Sequence, residues 1–273
     1  MRPERTLPCL VGLPYDASSS FLRGAAEAPP LIRRALNSDA GNWWTEGLID
    51  LGQPGALLDA GDVALPSDAQ GALPLIEQAI AGILANDQRP IALGGDHFVT
   101  YPVLRAVAAA YGPVTILHVD AHPDLYEEYE GDRLSHACPF ARIMEEGLGR
   151  RLVQVGIRTM NAHQRAQAER YGVEVIDMRA WSDGVRPVVE GATYLSIDID
   201  GIDPAHAPGV SHREPGGLTV RDVLGIVQRT TGPLLGADVV ELNPRRDPEG
   251  ITALVAAKLV KELAGRMLAK GVA

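Results

Sequence analysis

The sequence predicts an α/β fold with a central, mostly parallel sheet of eight strands. Three observations carry this reading: strand-like and helix-like segments alternate from end to end, no linker, repeat or low-complexity stretch interrupts them, and polar residues collect where strand-like segments finish. Such alternation joins parallel strands by right-handed crossovers and covers both faces of the sheet with helices. Periodicity alone leaves two architectures open, an open three-layer αβα sheet and a closed eight-fold barrel. With no boundary inside its 273 residues, the chain is expected to form a single domain over 1–273.

Taken in order, short apolar runs place strands near 7–13, 47–51, 90–94, 114–120, 151–157, 173–177, 193–199 and 236–242. Longer periodic segments place helices near 28–37, 71–86, 98–111, 139–147, 161–171 and 219–231, with a closing helix near 251–269. Gly52 to Pro66 reads as loop. Thr219-Val220-Arg221-Asp222 resembles a capping box ahead of Val223, Leu224 and Ile226. In the closing helix Leu254, Ala257, Val260 and Ala264 repeat at helical spacing and predict one buried stripe.

Composition narrows the partners. The formal charge of −10 opposes nucleic acid, whose phosphates attract a positive surface. Two bound divalent cations would bring that charge to −6, and a cationic substrate would suit it. No run approaches the roughly 20 apolar residues of a membrane span. The first five residues lack the apolar stretch of a signal peptide, so a cytoplasmic location is expected. Cys9 and Cys138 supply neither a disulfide framework nor the paired spacing of a structural zinc site.

Four segments concentrate polar residues at strand ends: Gly94-Gly95-Asp96-His97, Asp120-Ala121-His122-Pro123-Asp124, Asp198-Ile199-Asp200 and Glu241-Leu242-Asn243-Pro244. In extended backbone, residues two apart share a face, so Asp120, His122 and Asp124 converge, as do Asp198 and Asp200. With His97 they form an oxygen-rich set that suits manganese better than zinc. Six such side chains are too many for one catalytic ion with an open position, whereas two ions sharing carboxylates would use them all. A binuclear centre lowers the pKa of a bridging water, and hydrolysis is its natural use. No glycine fingerprint for a nucleotide is present, and Gly94-Gly95-Asp96-His97 lacks the Lys-Ser/Thr ending of a phosphate loop.

These segments, in this order and at these separations, resemble the ureohydrolase family of arginases and agmatinases over nearly the whole chain. Residues 118–140, 151–159, 207–224 and 236–247 look most like plant-type arginases. The resemblance implies the open three-layer αβα sheet of eight strands, two Mn2+ per subunit, and a homo-oligomer, trimer or hexamer. It assigns one ion to His97, Asp120, Asp124 and Asp198, and the other to Asp120, His122, Asp198 and Asp200. It further implies that a metal-bridging hydroxide attacks the guanidinium carbon of L-arginine, releasing L-ornithine and urea. Glu241 matches the carboxylate that pairs with the guanidinium, and His136 the histidine that shuttles protons. Asp124 is expected to orient the hydroxide as well. Asn161 matches a position where many arginases carry an aspartate facing the substrate amino group, and plant-type arginases resemble this chain in carrying asparagine.

Agmatine, or a guanidino acid other than arginine such as 4-guanidinobutyrate, is the rival substrate, distinguished by donors expected from the 125–134 loop and the region after Arg158. A binuclear phosphatase would want cationic clamps where this chain has Glu241. A metal-holding scaffold would not need the complete ligand set. Asp96 is expected to orient His97, His118 to be a satisfied core histidine, and His163, His206 and His212 to lie at the rim or in solvent. Cys138 is expected to be a small apolar filler.

Overall fold

The computed structural model describes residues 7–269. Its strands are β1 (Leu7–Leu13), β2 (Leu58–Asp62), β3 (Gln88–Gly94), β4 (Val114–Val119), β5 (Gly149–Ile157), β6 (Glu174–Asp177), β7 (Thr193–Asp198) and β8 (Leu234–Val240). They form one open sheet in the order β2-β1-β3-β8-β7-β4-β5-β6, every pair parallel. The barrel alternative is thereby excluded: β2 and β6 are edges.

The helices are α1 (Ala28–Leu36), α2 (Ala69–Ala85), α3 (Thr100–Tyr111), α4 (Pro139–Glu145), α5 (Ala162–Tyr171), the short α6 (Met178–Ser182), α7 (Val220–Arg229) and α8 (Ile251–Leu268). Helices α1, α7 and α8 pack together over one face, and α2, α3, α4 and α5 form a series over the other. Two buried clusters result. Alternate strand residues divide between them, Leu10, Ile91, Leu117 and Leu195 facing the first layer and Val11, Ala92, Ile116 and Tyr194 the second. Central strands buried on both faces read as continuous apolar runs, and for that reason they stand out in the sequence.

Three expectations need correction. The run at 47–51 is not a strand: it forms a turn closed by a single antiparallel bridge, Trp44 to Asp50, with Leu51 buried in the core. The second strand is instead Leu58–Asp62, inside the stretch read as loop. Its sequence Leu-Asp-Ala-Gly-Asp lies half exposed at an edge, and an edge strand needs no two-sided apolar pattern. Helix α8 buries Ala257, Val260 and Ala264 as expected, yet Leu254 is 49% exposed, because the buried face runs through Ala253, Ala256 and Leu263.

The capping box of α7 is formed: Thr219 Oγ1 accepts the Asp222 N–H at 3.1 Å, and Asp222 accepts the Thr219 N–H at 2.9 Å. Such a cap stabilises a helix by about 1 kcal/mol.

Topology decides where ligands can bind. Helix α3, following β3, packs in one layer, whereas α8, following β8, packs in the other. Connections leaving these neighbouring strands diverge and open a crevice at their carboxyl ends. The four central strands, β3, β8, β7 and β4, all deliver their final residues there.

Candidate metal centre and its cavity

After β3 the chain turns at Gly95, where a Cβ would lie 1.7 Å from the Tyr15 carbonyl oxygen; only glycine permits this approach. Asp96 then caps the next turn, accepting the Phe98 N–H at 3.2 Å and the Ser18 N–H at 2.9 Å. It does not touch the His97 ring; it sets the turn that carries the ring. Burial, reinforced by the charge of Glu241, pushes its carboxyl up to about 8.

His97 is fully buried and held from behind. Its Nε2 lies 3.0 Å from Ser196 Oγ, and Ser196 lies 2.6 Å from Asp238 Oδ1. Tyr194 and Thr100 donate to the other oxygen of Asp238 at 2.6 and 2.9 Å. Because the Ser196 hydroxyl donates to the carboxylate, its oxygen accepts from His97 Nε2–H. The Nδ1 lone pair therefore points forward. Forward of it stand three carboxylate oxygens, Asp124 Oδ2 and Asp198 Oδ2 at 3.1 Å and Asp120 Oδ2 at 3.3 Å, none in hydrogen-bonding geometry.

A second cluster adjoins the first. His122 Nδ1 lies 3.1 Å from Asp200 Oδ2 and 3.4 Å from Asp120 Oδ1, so the two oxygens of Asp120 serve different clusters. Asp198 is held by the Asp200 N–H, donating to its Oδ1 at 2.7 Å. His118 is not a forward ligand. Gln154 Nε2 donates to its Nδ1 at 3.0 Å, which leaves Nε2–H to donate to Asp120 Oδ2 at 2.8 Å and orient that carboxylate.

The donor set fits divalent cations. Neighbouring ligands around an ion with bonds of about 2.1 Å stand about 3 Å apart, close to the separations in both clusters. Electrostatics point the same way. Burial and the charges of Asp200 and Asp120 push Asp198 well above the carboxylate range, and burial likewise raises Asp200. Asp120 is held well below that range, its burial outweighed by His118, His122 and His97. Burial would lower His97, yet its surrounding carboxylates draw its pKa well upward. Without cations, the cluster must recruit protons; bound cations would let every carboxylate ionise.

Two unusual backbone positions frame this centre. Asp124 and Glu241 have φ of 49° and 62°, a region disfavoured for residues with a Cβ and tolerated where packing enforces it. Glu241 Oε1 accepts the His97 N–H at 3.0 Å and lies 2.8 Å from His136 Nδ1. It makes no ion pair with Arg245, which bonds Glu27. Burial opposes charge on His136, but the adjacent Glu241 carboxylate outweighs it and the imidazole rises to about 9. Ser20 Oγ stands 2.9 Å from the other ring nitrogen of His136.

A cavity opens over these groups, its wall including His122, Asp124, Asp198, Asp200, His136 and Glu241. Ser20, Tyr126, Tyr129, Gln164 and His212 complete most of it. Asn161 is not in the wall: its side chain caps α5 and donates to the Tyr126 hydroxyl at 2.6 Å. His212, expected at the rim or in solvent, sits between His122 and His136, with ring centroids 5.6 and 5.4 Å away. Burial lowers its pKa. Cys138 is buried, and burial pushes its thiol up to about 12, an inert state.

The family model for the arginase family matches residues 8–265. The chain belongs to the arginase family. It is 48% identical to "Arginase 1, mitochondrial" of Arabidopsis thaliana over 94% of this chain and 80% of that protein. It is also 48% identical to "Arginase, mitochondrial" of Medicago truncatula, over 94% of this chain and 81% of that one. The solved structure of arginase from Medicago truncatula superposes with a TM-score of 0.92 at 47% identity, covering 96% of this chain and 87% of that chain.

These relatives correct one expectation. Their names place them in mitochondria, which overturns the cytoplasmic location read from the first residues. The physical reason is that an apolar stretch is the mark of only one class of address. Organelle-targeting segments are amphipathic and arginine-rich and need no such stretch.

Proposed function

We propose that the protein is a binuclear manganese hydrolase that cleaves the guanidinium group of L-arginine to L-ornithine and urea. The observation that carries this reading is the pair formed by Glu241 and His136, 2.8 Å apart, in the cavity that also receives both His-carboxylate clusters. Glu241 Oε1 is committed to His97 and His136, which leaves Oε2 to bind a planar, cationic guanidinium and fix its carbon over the clusters. The 48% identity to plant proteins named arginase supports the substrate class.

In this reading His97, Asp120, Asp124 and Asp198 would hold one ion, and His122, Asp200, Asp120 and Asp198 would hold the other. When bound, the two manganese ions supply the acidity that makes water a nucleophile near neutral pH. Asp124 also orients that nucleophile. His136, protonated at neutral pH through its pairing with Glu241, delivers a proton to the departing amine nitrogen. A single domain spanning the chain and assembly as a trimer or hexamer belong to the same proposal.

The test is urea release by purified protein loaded with manganese, with Asp200→Ala as control. Urea from arginine, nearly lost in the variant, supports the reading. Preferential hydrolysis of agmatine would shift it to an agmatinase, and no urea from any guanidino compound would sink it.

A further inference from the structure

His136 has no ring nitrogen left free to meet a substrate. Its Nδ1 stands 2.8 Å from Glu241 Oε1, and its Nε2 stands 2.9 Å from Ser20 Oγ. With a proton on each nitrogen the ring donates on both sides, to the carboxylate and to the serine oxygen. The two protons are not equivalent. Passing the Nδ1 proton to Glu241 would neutralise the carboxylate that holds a cationic guanidinium, so the proton available for transfer is the one on Nε2.

Ser20 is held where it receives that proton. The Ser18 carbonyl accepts the His136 N–H at 3.1 Å, the Ser18 N–H donates to buried Asp96 at 2.9 Å, and the Ser19 hydroxyl donates to the same carboxylate oxygen at 3.3 Å. Beyond Ser20, the Gly24 N–H donates to Asp16 at 2.7 Å and Arg23 donates to the Ala17 carbonyl at 2.8 Å. The loop is therefore tied on both sides of the serine. Among the described residues Ser20 Oγ has no second hydrogen-bond partner, and because it accepts from His136 its own proton points away from the ring. That proton is offered to the cavity: Ser20 lines the wall and is exposed, whereas His136 is buried.

We propose that the Ser20 hydroxyl is a catalytic proton relay, carrying the His136 Nε2 proton to the departing amine nitrogen and returning a proton from water to the ring. The proposal rests on the guanidinium-hydrolase reading and adds the group through which its proton moves. The Nε2–H bond breaks as Ser20 Oγ gains that proton, and the original Ser20 O–H bond breaks as its proton joins the amine. Serine ends as it began, the imidazole is neutral and the amine is protonated. Bulk water then reprotonates the ring through the same hydroxyl, which balances the proton given up by the attacking water. A row of carboxylate, histidine and serine also serves hydrolases in which serine attacks, but there the histidine must be neutral to take the serine proton. Here the ring carries the proton, and the transfer runs outward.

The experiment compares Ser20→Thr and Ser20→Val with the parent protein. Both replacements are branched at Cβ and nearly equal in shape, and they differ in whether a hydroxyl is present; circular dichroism melts verify folding. With manganese loaded and L-arginine as substrate, Ser20→Val should lose about 100-fold in kcat with KM changed by less than about twofold, and Ser20→Thr should recover most of that loss. Added imidazole, a small proton donor, should raise kcat of Ser20→Val and leave the parent unchanged. Equal kcat for the threonine and valine variants, a loss carried by KM, or labelling of Ser20 by a serine-reactive fluorophosphonate would overturn the relay. A readout independent of turnover is the exchange of the His136 Nε2 proton with water, followed by NMR on metal-free protein labelled with 15N-histidine. Exchange should be slower by about tenfold or more in Ser20→Val than in Ser20→Thr, and equal rates would overturn the relay. Absence of urea from every guanidino compound with the parent protein would instead overturn the hydrolase reading, while the exchange rates still decide whether Ser20 conducts the proton.

Discussion

Replacing Ser196 by alanine cuts the polar chain that runs from Asp238 through Ser196 to His97. Two hydrogen bonds disappear, the charge-assisted one at 2.6 Å to Asp238 and the one at 3.0 Å from His97 Nε2–H. At about 1.5–3 kcal/mol for the first and about 0.5–1.5 for the second, folding stability falls by about 2–4 kcal/mol. In a chain of this size that lowers Tm by about 5–15 °C. The second effect concerns binding. His97 no longer has its Nε2–H anchored, so its lone pair is not held toward Asp120, Asp124 and Asp198, and manganese affinity should fall about 10–100-fold. The assay is thermal melting with and without Mn2+ combined with calorimetric Mn2+ titration. The variant should melt lower and also show a smaller manganese-induced rise in Tm, by the equivalent of about 1.4–2.7 kcal/mol. A variant that melts lower yet binds manganese with unchanged affinity would show that the chain behind His97 only supports the core, and the tautomer argument would be wrong.

Gly95→Ala should prevent folding or yield insoluble protein, because its Cβ would meet the Tyr15 carbonyl oxygen at 1.7 Å; soluble protein with parental Tm would contradict this packing. Manganese binding should release protons, since Asp198 and Asp200 are raised by burial and by neighbouring carboxylate charge in the metal-free protein and must ionise to coordinate. Affinity should therefore fall as pH is lowered, and titrations in buffers of different ionisation enthalpy should give different apparent heats; identical heats would refute it. Glu46 is lowered from 4.5 to about 2, chiefly by hydrogen bonds from Arg221 and then Gln228. Its stabilising contribution is present above pH 4.5 and is lost as pH falls toward 2, so the Tm gap between the parent and Glu46→Gln should close over that interval. A gap that stays constant across those pH values would contradict the assignment.

What was legible in the sequence follows from what burial imposes on residues. The central strands β3, β4, β7 and β8 are covered on both faces, so they appear as apolar runs, and their strand-end aspartates and histidines stand out against them. Strand β2 left no such trace because its polar residues sit at an exposed edge, whereas Leu51 in the neighbouring turn supplied an apolar signal without a strand. The polar residues behind the site were hidden for the opposite reason. Ser196 and Asp238 lie within buried strands, and only the β7–β8 register, which pairs them, shows that they act together on His97. His212 had no motif partner nearby in sequence; it reaches the cavity from the segment between β7 and α7. Asn161 was legible as a helix start and as a candidate for substrate contact, but the direction of its hydrogen bonds required the position of Tyr126.

The central claim is that the crevice at the ends of β3, β8, β7 and β4 hydrolyses a guanidinium group, with L-arginine as its substrate. The most direct measurement is urea release by the manganese-loaded protein, expressed as kcat/KM for L-arginine, agmatine and 4-guanidinobutyrate under one set of conditions. The account predicts urea from arginine with the highest value of the three, abolished by a chelator and restored by Mn2+. Protein that binds manganese yet releases no urea from any of them would contradict it.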